Sequence, residues 1–394
     1  MVGFLVTGIG LPMLGIIAVG LAGTIRDLAS RVHPLFAHVF VAANYLAIGP
    51  CLAIPRTSST SFEMFEPLLP AGLSLEVARL VFSVVFFTVA YLLAMHPNAL
   101  TRLLGRITGP ALIALLVFVI GAALFDPASS LEAAHATYAS APAMSGFLTG
   151  YQTMDLLASL TFGIVIATNI RELGVTDDAG LTREVSRAGV FAGVLMGIIY
   201  CGLALVGVNI AAVLPGATNG AEILAASAGQ HFGTVGTVVV AAIFLLACLN
   251  VCIGLISCCG TYFSDEFPRI PYRVWALGFA VFSCVVSNFG LDAILTFSVP
   301  LLNAMYPMAI VLVVMGMLHK VCDGMPAVWP CAVGLTAVVS IATSLRDAFF
   351  TGAWLPFDVL PFADLGMNWV VPALLGALIG VVVSFAGKKP QSAS

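Results

Sequence analysis

Charge is what this sequence has least of. Asp, Glu, Lys and Arg together make up 9% of its 394 residues, where soluble domains carry roughly a quarter. Lysine is confined to Lys320, Lys388 and Lys389, and none of them lies in a G-x4-GK[ST] loop. The chain therefore has no phosphate cradle of its own for an ATP-driven cycle. The six histidines, His33, His38, His96, His135, His231 and His319, fall at span ends or in loops and form no HExxH pair, and no GxSxG is present. The zinc-hydrolase and serine-hydrolase signatures are thus missing, no catalytic residue stands out, and no cofactor or resident metal is called for. There is no basic block to meet nucleic acid, and the net charge is only −4. The nine cysteines include no CxxC pair. Cys201, Cys248, Cys252, Cys258, Cys259, Cys284 and Cys331 sit inside apolar runs and read as small hydrophobes.

What is there is apolar. Hydrophobic residues make up 60% of the chain and the mean hydropathy is +1.09, which excludes a water-soluble fold. One helix needs roughly 20 apolar residues to cross the hydrocarbon core. Such runs recur near 2–23, 37–54, 77–95, 107–125, 147–169, 187–214, 234–262, 272–288, 291–318, 327–345 and 367–386. Their length and continuity exclude the roughly ten-residue alternation of an outer-membrane barrel. The expectation is an all-α integral membrane protein of about eleven transmembrane helices, forming a single polytopic domain over 1–394 in the lipid bilayer. Nothing in the sequence speaks to an oligomer.

The basic residues orient these spans. One set of alternate loops holds Arg26, Arg31, Arg102, Arg106, Arg171, Arg183, Arg187, Arg269, Arg273, Lys320, Lys388 and Lys389, and the other holds only Arg56, Arg79 and Arg346. Cytoplasmic loops carry the excess of Lys and Arg, so the C-terminus, with its short tail 388–394, is placed in the cytoplasm. An odd number of spans then leaves Met1 outside, at the edge of an apolar run and without a signal-peptide pattern. The expectation is that one further helix precedes residue 1.

Transport needs a midplane site, and interrupting a helix frees backbone groups to make one. The stretch from Gly146 to Gly163 is polar and glycine-containing before it turns apolar, and predicts such a break. Thr153 or Asp155 there could cap a half-helix whose N–H groups and dipole face a carboxylate; the plainer reading of Asp155 is an interfacial acid. Two prolines and a glycine, Gly49, Pro50 and Pro55, predict a kink in the second run. Arg56 beyond it either snorkels to the outer surface or pairs with Glu63 or Glu66. In the run 234–262, Ala247, Asn250 and Val251 share a face by their spacing. Asn250 is a site candidate or, equally, a hydrogen bond to a neighbouring helix. Asn288-Phe289-Gly290 predicts a tight turn, and Ser298, Pro300, Tyr306 and Pro307 interrupt the helix after it. Gly189, Gly193 and Gly197, and Gly376 and Gly380, predict close helix contacts.

Three motifs in order, Gly49-Pro50-x-x-Ala53-x-Pro55-Arg56-Thr57 with Ser61-Phe62-Glu63, Gly150-Tyr151-x-Thr153-Met154-Asp155 with Phe162-Gly163, and Ser287-Asn288-x-Gly290-Leu291, make the chain resemble the bacterial branched-chain amino acid:cation symporters along its whole length. The resemblance implies uptake of leucine, isoleucine and valine driven by a sodium or proton gradient. It also implies twelve helices in a leucine-transporter-type arrangement of two inverted repeats, the first helix being absent here. On physical grounds a zwitterion is expected near the midplane, its carboxylate at the freed N–H groups around Thr153, Met154, Asp155 and Ser159 and its side chain against Gly49, Pro50, Ala53, Ile48 and Gly254. For the cation the like-spaced positions are Ala247, Asn250 and Val251. Valine cannot ligate sodium, so the amide of Asn250 and a proton route through Asp155 are rival expectations. The other readings are a transporter of another small solute on the same fold and a non-transporting membrane scaffold.

Overall fold

The computed structural model describes residues 1–386 apart from 71, 97–98, 126–136, 176, 212–213, 215–216, 218, 323 and 351. His135, Lys388, Lys389 and the tail 388–394 lie outside the described residues. All regular structure among the described residues is helical, as hydrocarbon demands of a chain that must satisfy its own backbone groups. We label the principal helices α1 (Val2–Leu21), α2 (Pro34–Leu46), α3 (Ala53–Phe65), α4 (Leu75–Met95), α5 (Ala99–Phe125), α6 (Pro142–Thr149), α7 (Asp155–Glu172), α8 (Asp178–Ala211), α9 (Gly220–Glu266), α10 (Tyr272–Ser287), α11 (Leu291–Met317), α12 (Val328–Phe349) and α13 (Val370–Ala386).

Eight continuous stretches among the described residues are long and apolar enough to cross a membrane, and α10 and α13 are shorter apolar helices. Together with the interrupted pair α6–α7 they match the eleven runs read from the sequence. Two runs are longer than the hydropathy indicated. The second continues through the Ser- and Thr-rich α3, which is too polar to register as a span, and α9 begins at Gly220 rather than near 234. Asn219 explains that early start: its Oδ1 accepts the Ala221 and Glu222 N–H groups at 3.0 and 3.1 Å, an N-cap. Gly233, at φ 61°, then breaks α9 where the apolar run begins.

The chain separates into two compact units, Met1–Asn44, His135–Gly197 and Ser298–Ser394 in the first, Tyr45–Ala134 and Ile198–Phe297 in the second. Both bury small polar groups in their interior. Thr7, Asn44, Ser61, Ser283 and Thr336 are fully buried, while Val77, Leu80, Val81, Val84 and Val85 of α4 face outward. This is the pattern of a protein whose solvent is lipid, in which helix contact depends on close packing and hydrogen bonds rather than on hydrophobicity.

Glycine makes that close approach possible in the first unit. A Cβ on Gly189, Gly193 or Gly197 of α8 would meet Ile16, Met13 or Ile9 of α1, which lie along one face of that helix. A Cβ on Gly376 or Gly380 of α13 would run into the backbone of α12 at Cys331 or Val328. In the second unit, Ser59 Oγ donates to Ser287 O at 3.1 Å, Ser283 Oγ to Pro50 O at 3.3 Å and Asn288 Nδ2 to Ser83 Oγ at 2.9 Å, tying α3, α10 and α4 together. Asn288-Phe289-Gly290 forms the expected tight turn, with Gly290 at φ 91°.

Between α12 and α13, Asp358 accepts the Leu355 N–H at 2.9 Å and pairs with Arg346. These two donors hold its carboxyl below the usual aspartate range. A lowered carboxyl contributes stability above the unfolded-state value, and loses it as pH falls through the folded value. Protection of the 355–358 amides from hydrogen exchange, taken relative to the intrinsic rate at each pH, is therefore expected to fall on acidification below about pH 4, near the unperturbed aspartate value, and to stay constant between pH 6 and 8.

Gly380→Ile is expected to separate α12 from α13 and lower the melting temperature in detergent by several degrees, since overpacking typically costs about 1–3 kcal/mol. Gly278→Ala, where a Cβ meets nothing within 4 Å, serves as the control and leaves the melting temperature unchanged. Equal melting of both variants would show that this glycine contact is dispensable.

Candidate functional site

The interruption read at Gly150–Asp155 is present, and local sequence explains its form. The last turn of α6 tightens into a single 3-10 turn over Gly150–Thr153. A Cβ at Gly150 would collide with the Thr7 hydroxyl of α1, so only glycine lets the two helices meet there. Thr7 Oγ1 in turn donates to Phe147 O at 2.8 Å, recovering one of the carbonyls that the end of α6 leaves over. Met154 then takes a left-handed conformation, φ 59° and ψ 8°, which for a side chain other than glycine costs roughly 1–2 kcal/mol. Neither Thr153 nor Asp155 occupies the cap position of α7. Met154 does, and Ala158 N–H closes the first helical bond on Met154 O at 2.9 Å. Thr153 Oγ1 donates to Gly150 O at 2.8 Å and accepts the Asp155 N–H at a long 3.4 Å.

The N–H groups of Asp155, Leu156 and Leu157 thus open α7 with no carbonyl of their own helix to bond, and the half-buried Asp155 carboxylate sits in the same turn. A residue the sequence reading treated only as a helix interruption completes this end. Tyr306 of α11 is fully buried, and its hydroxyl has no hydrogen-bond partner among the described residues. That hydroxyl lies within electrostatic reach of the Leu156 N–H, the Thr153 hydroxyl and the Asp155 carboxylate. Tyr151 stacks on Tyr306 at 4.3 Å, and its own buried hydroxyl is likewise unpartnered among the described residues. The advance signals for this pair were Tyr151 within the second motif and, for Tyr306, a tyrosine beside Pro307 in the middle of an apolar run. A buried polar group left unsatisfied costs about 1–3 kcal/mol, so these hydroxyls mark a place prepared for something polar.

Ser159 is placed differently. Its Oγ donates to Leu156 O at 2.7 Å and abuts Gly15 of α1, one helical turn beyond the opening of α7. Asn44 braces the same helix by donating to Leu157 O at 3.1 Å and Thr161 Oγ1 at 2.7 Å. Gln152 accepts the Ser298 hydroxyl at 2.9 Å, which ties the break to α11.

The second unit holds the other predicted residues. α2 leads through a wide π turn, Ala47–Cys51, into α3. Gly49 there is non-helical at φ −99°, ψ −121°, and Leu52 follows at φ −128°. Pro50 and Pro55 bring no N–H to the region, so carbonyls are left for other partners. Pro50 O takes the Ser283 hydroxyl, and Tyr45 O takes the Cys259 thiol at 3.4 Å. A Cβ at Gly49 would meet Cys259 Sγ, so Gly49 lies directly against α9. Ala53 is half-buried in the first turn of α3. On α9, Ala247 and Asn250 are half-buried, whereas Val251 and Gly254 are exposed and a Cβ at Gly254 meets open space. Thr153, Met154, Asp155 and Ser159 therefore belong to one unit, and Gly49, Pro50, Ala53, Ala247, Asn250 and Gly254 to the other. No group of three or more His, Cys, Asp or Glu side chains that could hold a metal ion occurs among the described residues.

The family profile described as "Branched-chain amino acid transport protein" matches residues 1–386. The chain belongs to that family. Members of the family are transport proteins and not enzymes. Branched-chain amino acid permease BraB of Bacillus subtilis is 38% identical over 99% of this chain and 88% of the relative. The branched-chain amino acid transport system 2 carrier protein of Pseudomonas aeruginosa is 37% identical over 99% of this chain and 89% of its own length. Among solved structures, the nucleobase-cation-symport-1 family transporter Mhp1 superposes with a TM-score of 0.61 at 13% identity, covering 98% of this chain and 86% of the other. That likeness establishes the leucine-transporter-type helical fold.

Tyr306→Phe separates a structural from a ligand-facing hydroxyl. Removing an unsatisfied buried group is expected to leave the melting temperature unchanged or raised. Leucine affinity is expected to fall about 2–12-fold, as for one lost hydrogen bond of roughly 0.5–1.5 kcal/mol. A variant that melts lower and binds leucine as before would remove Tyr306 from the site.

Proposed function

We propose that this chain is a secondary transporter that carries leucine, isoleucine and valine across a bacterial cytoplasmic membrane, driven by a cation gradient. The opening of α7 carries the reading. It presents N–H groups without helical partners, the positive end of a helix dipole and, beside them, the buried Tyr306 hydroxyl, which has no hydrogen-bond partner among the described residues. Such a half-helix end solvates a carboxylate at little reorganisation cost, which isolated charges in hydrocarbon otherwise lack. The names of the relatives supply the substrate class.

In this reading the amino-acid carboxylate docks at the N–H groups from Asp155 onward, near Tyr306. The coupling ion is sodium, held with help from Asn250 and Ala247, or a proton on Asp155. The asymmetry of Arg and Lys supports a cytoplasmic C-terminus.

The test is labelled leucine uptake into proteoliposomes under a sodium gradient and a pH gradient imposed separately. Uptake under one of them, competed by isoleucine and valine, is the expected result, and the gradient that works names the ion. Asp155→Asn is expected to lower uptake at least tenfold. Full uptake by Asp155→Asn and Ser159→Ala alike would move the substrate away from α7, and competition by an unrelated solute but not by valine would replace the substrate class.

A further inference from the structure

A small cavity of about 60 Å³ lies wholly within the first unit, walled by the end of α6, by α11 and α12, and by the segment that leads into α13. We propose that this cavity binds a sodium ion, an inference that holds whichever ion drives transport. Its polar wall is rich in oxygen: the hydroxyls of Thr343 and Ser344, the amides of Asn303 and Asn368, the carboxylate of Asp347 and the phenol of Tyr151. Among the described residues no His, Cys, Met, Lys or Arg lines it. Hard oxygens without imidazole or sulfur suit a hard cation and not a transition metal.

Several of these oxygens are available to a ligand. Tyr151 and Ser344 are 2% and 6% exposed, and neither hydroxyl has a hydrogen-bond partner among the described residues; the same holds for the Asn303 amide. Buried polar groups are ordinarily partnered, so a cavity bordered by three that are not is built to receive something polar. Asn368 Nδ2 donates to Thr343 Oγ1 at 3.0 Å, which fixes the amide and leaves its Oδ1 as an acceptor. The indole N–H of Trp369, also in the wall, lies within electrostatic reach of the Tyr151 hydroxyl and so has an oxygen to face other than the ion.

Charge points the same way. Arg346 bonds Asp347 through Oδ1, at 2.8 Å from both Nε and Nη2, and pairs with Asp358 as well. One guanidinium thus serves two carboxylates, and the surplus negative charge beside the cavity favours a cation. A single carboxylate among neutral oxygens suits a monovalent ion, since sites for divalent ions gather more charge. Asp347 is half exposed, which gives the ion a way in from water. The volume is far below the roughly 300–1,000 Å³ of small-molecule sites. It holds an ion and a water or two, as one water needs about 10–15 Å³, and such tight space favours sodium over the larger potassium. Chloride would meet the Asp347 carboxylate, and water alone would leave the surplus charge unanswered. A bound ion would fix Tyr151, on which Tyr306 stacks, and so firm the break before α7.

The experiment is equilibrium binding of labelled sodium to the full-length chain in nanodiscs, without leucine. Trp369 emission, read as the part lost in Trp369→Phe, reports locally. The wild type is expected to bind sodium, and this emission to change with sodium chloride and sodium gluconate alike but not with potassium or choline chloride at equal ionic strength. Ser344→Ala removes one oxygen without breaking a hydrogen bond among the described residues, and is expected to weaken binding about threefold or more. Asp347→Asn is expected to weaken it about tenfold or more, and Asp347→Glu to recover part of the loss. Gel filtration in choline confirms that each variant is folded. A Trp369 response that follows chloride, or one equally strong with potassium, would overturn the assignment to sodium. Sodium binding that Ser344→Ala and Asp347→Asn both leave at wild-type affinity would place the ion elsewhere and overturn the site. No sodium binding and no Trp369 response would leave the cavity to water alone and overturn the proposal, while the transport reading, which a proton also satisfies, would stand.

Discussion

The constraint on which this structure depends is that a backbone inside hydrocarbon must satisfy its own polar groups. A continuous helix does so without help. Every interruption frees carbonyls or N–H groups, and the chain handles each freed group in one of two ways. At the end of α6 and in the π turn of the second run, side chains recover the carbonyls: Thr7 takes that of Phe147, Ser283 that of Pro50 and Cys259 that of Tyr45. At the opening of α7 the Asp155 N–H reaches a side chain only at a long 3.4 Å, that of Thr153, and the buried Tyr306 hydroxyl, unpartnered among the described residues, lies beside it. The contrast between a repaired break and an unrepaired one is what distinguishes a structural kink from a place built to receive a ligand.

Holding an unrepaired break requires a rigid surround, and the first unit provides it through small residues. α1 lies against α6, α7 and α8 at once, meeting Gly146 and Gly150, Gly163, and the glycine stripe of α8. Close backbone approach of this kind is how helices bind one another where lipid removes the hydrophobic drive. The left-handed Met154 persists because both of its flanks are pinned: Thr153 is tied back to Gly150 O, and α7 is braced by Asn44. Strain at one residue is thereby held in place by ordinary contacts at several others.

Much of this was legible in advance, for identifiable reasons. Gly49, Pro50 and Pro55 cannot all be accommodated in an unbroken helix, so the second run had to kink. Glycine and polar residues clustered from Gly146 to Asp155 weakened the fifth run in the same way. Other features were out of reach. The cap of α7 fell to Met154, a residue with no capping chemistry, because tight packing at Gly150 and the turn after it decided the backbone angle there. Tyr306 looked like part of a proline-interrupted helix, since nothing in its own neighbourhood reveals that its hydroxyl ends beside Leu156, 150 positions earlier in the chain. The first part of α9 was missed because its composition is mixed, and only the Asn219 cap shows that the helix begins there.

Composition and periodicity alone decided the class of the protein, the number and place of its apolar segments and the sites of its two main breaks. Those properties follow from transfer of side chains into lipid and from backbone chemistry local to a few residues. The tertiary structure alone decided which freed groups are consumed and which are left over, which hydroxyl meets the opening of α7, and that Arg56 and Asn219 line one cavity. Such facts depend on where residues distant in sequence come to rest, and packing fixes that only when all the helices are in place.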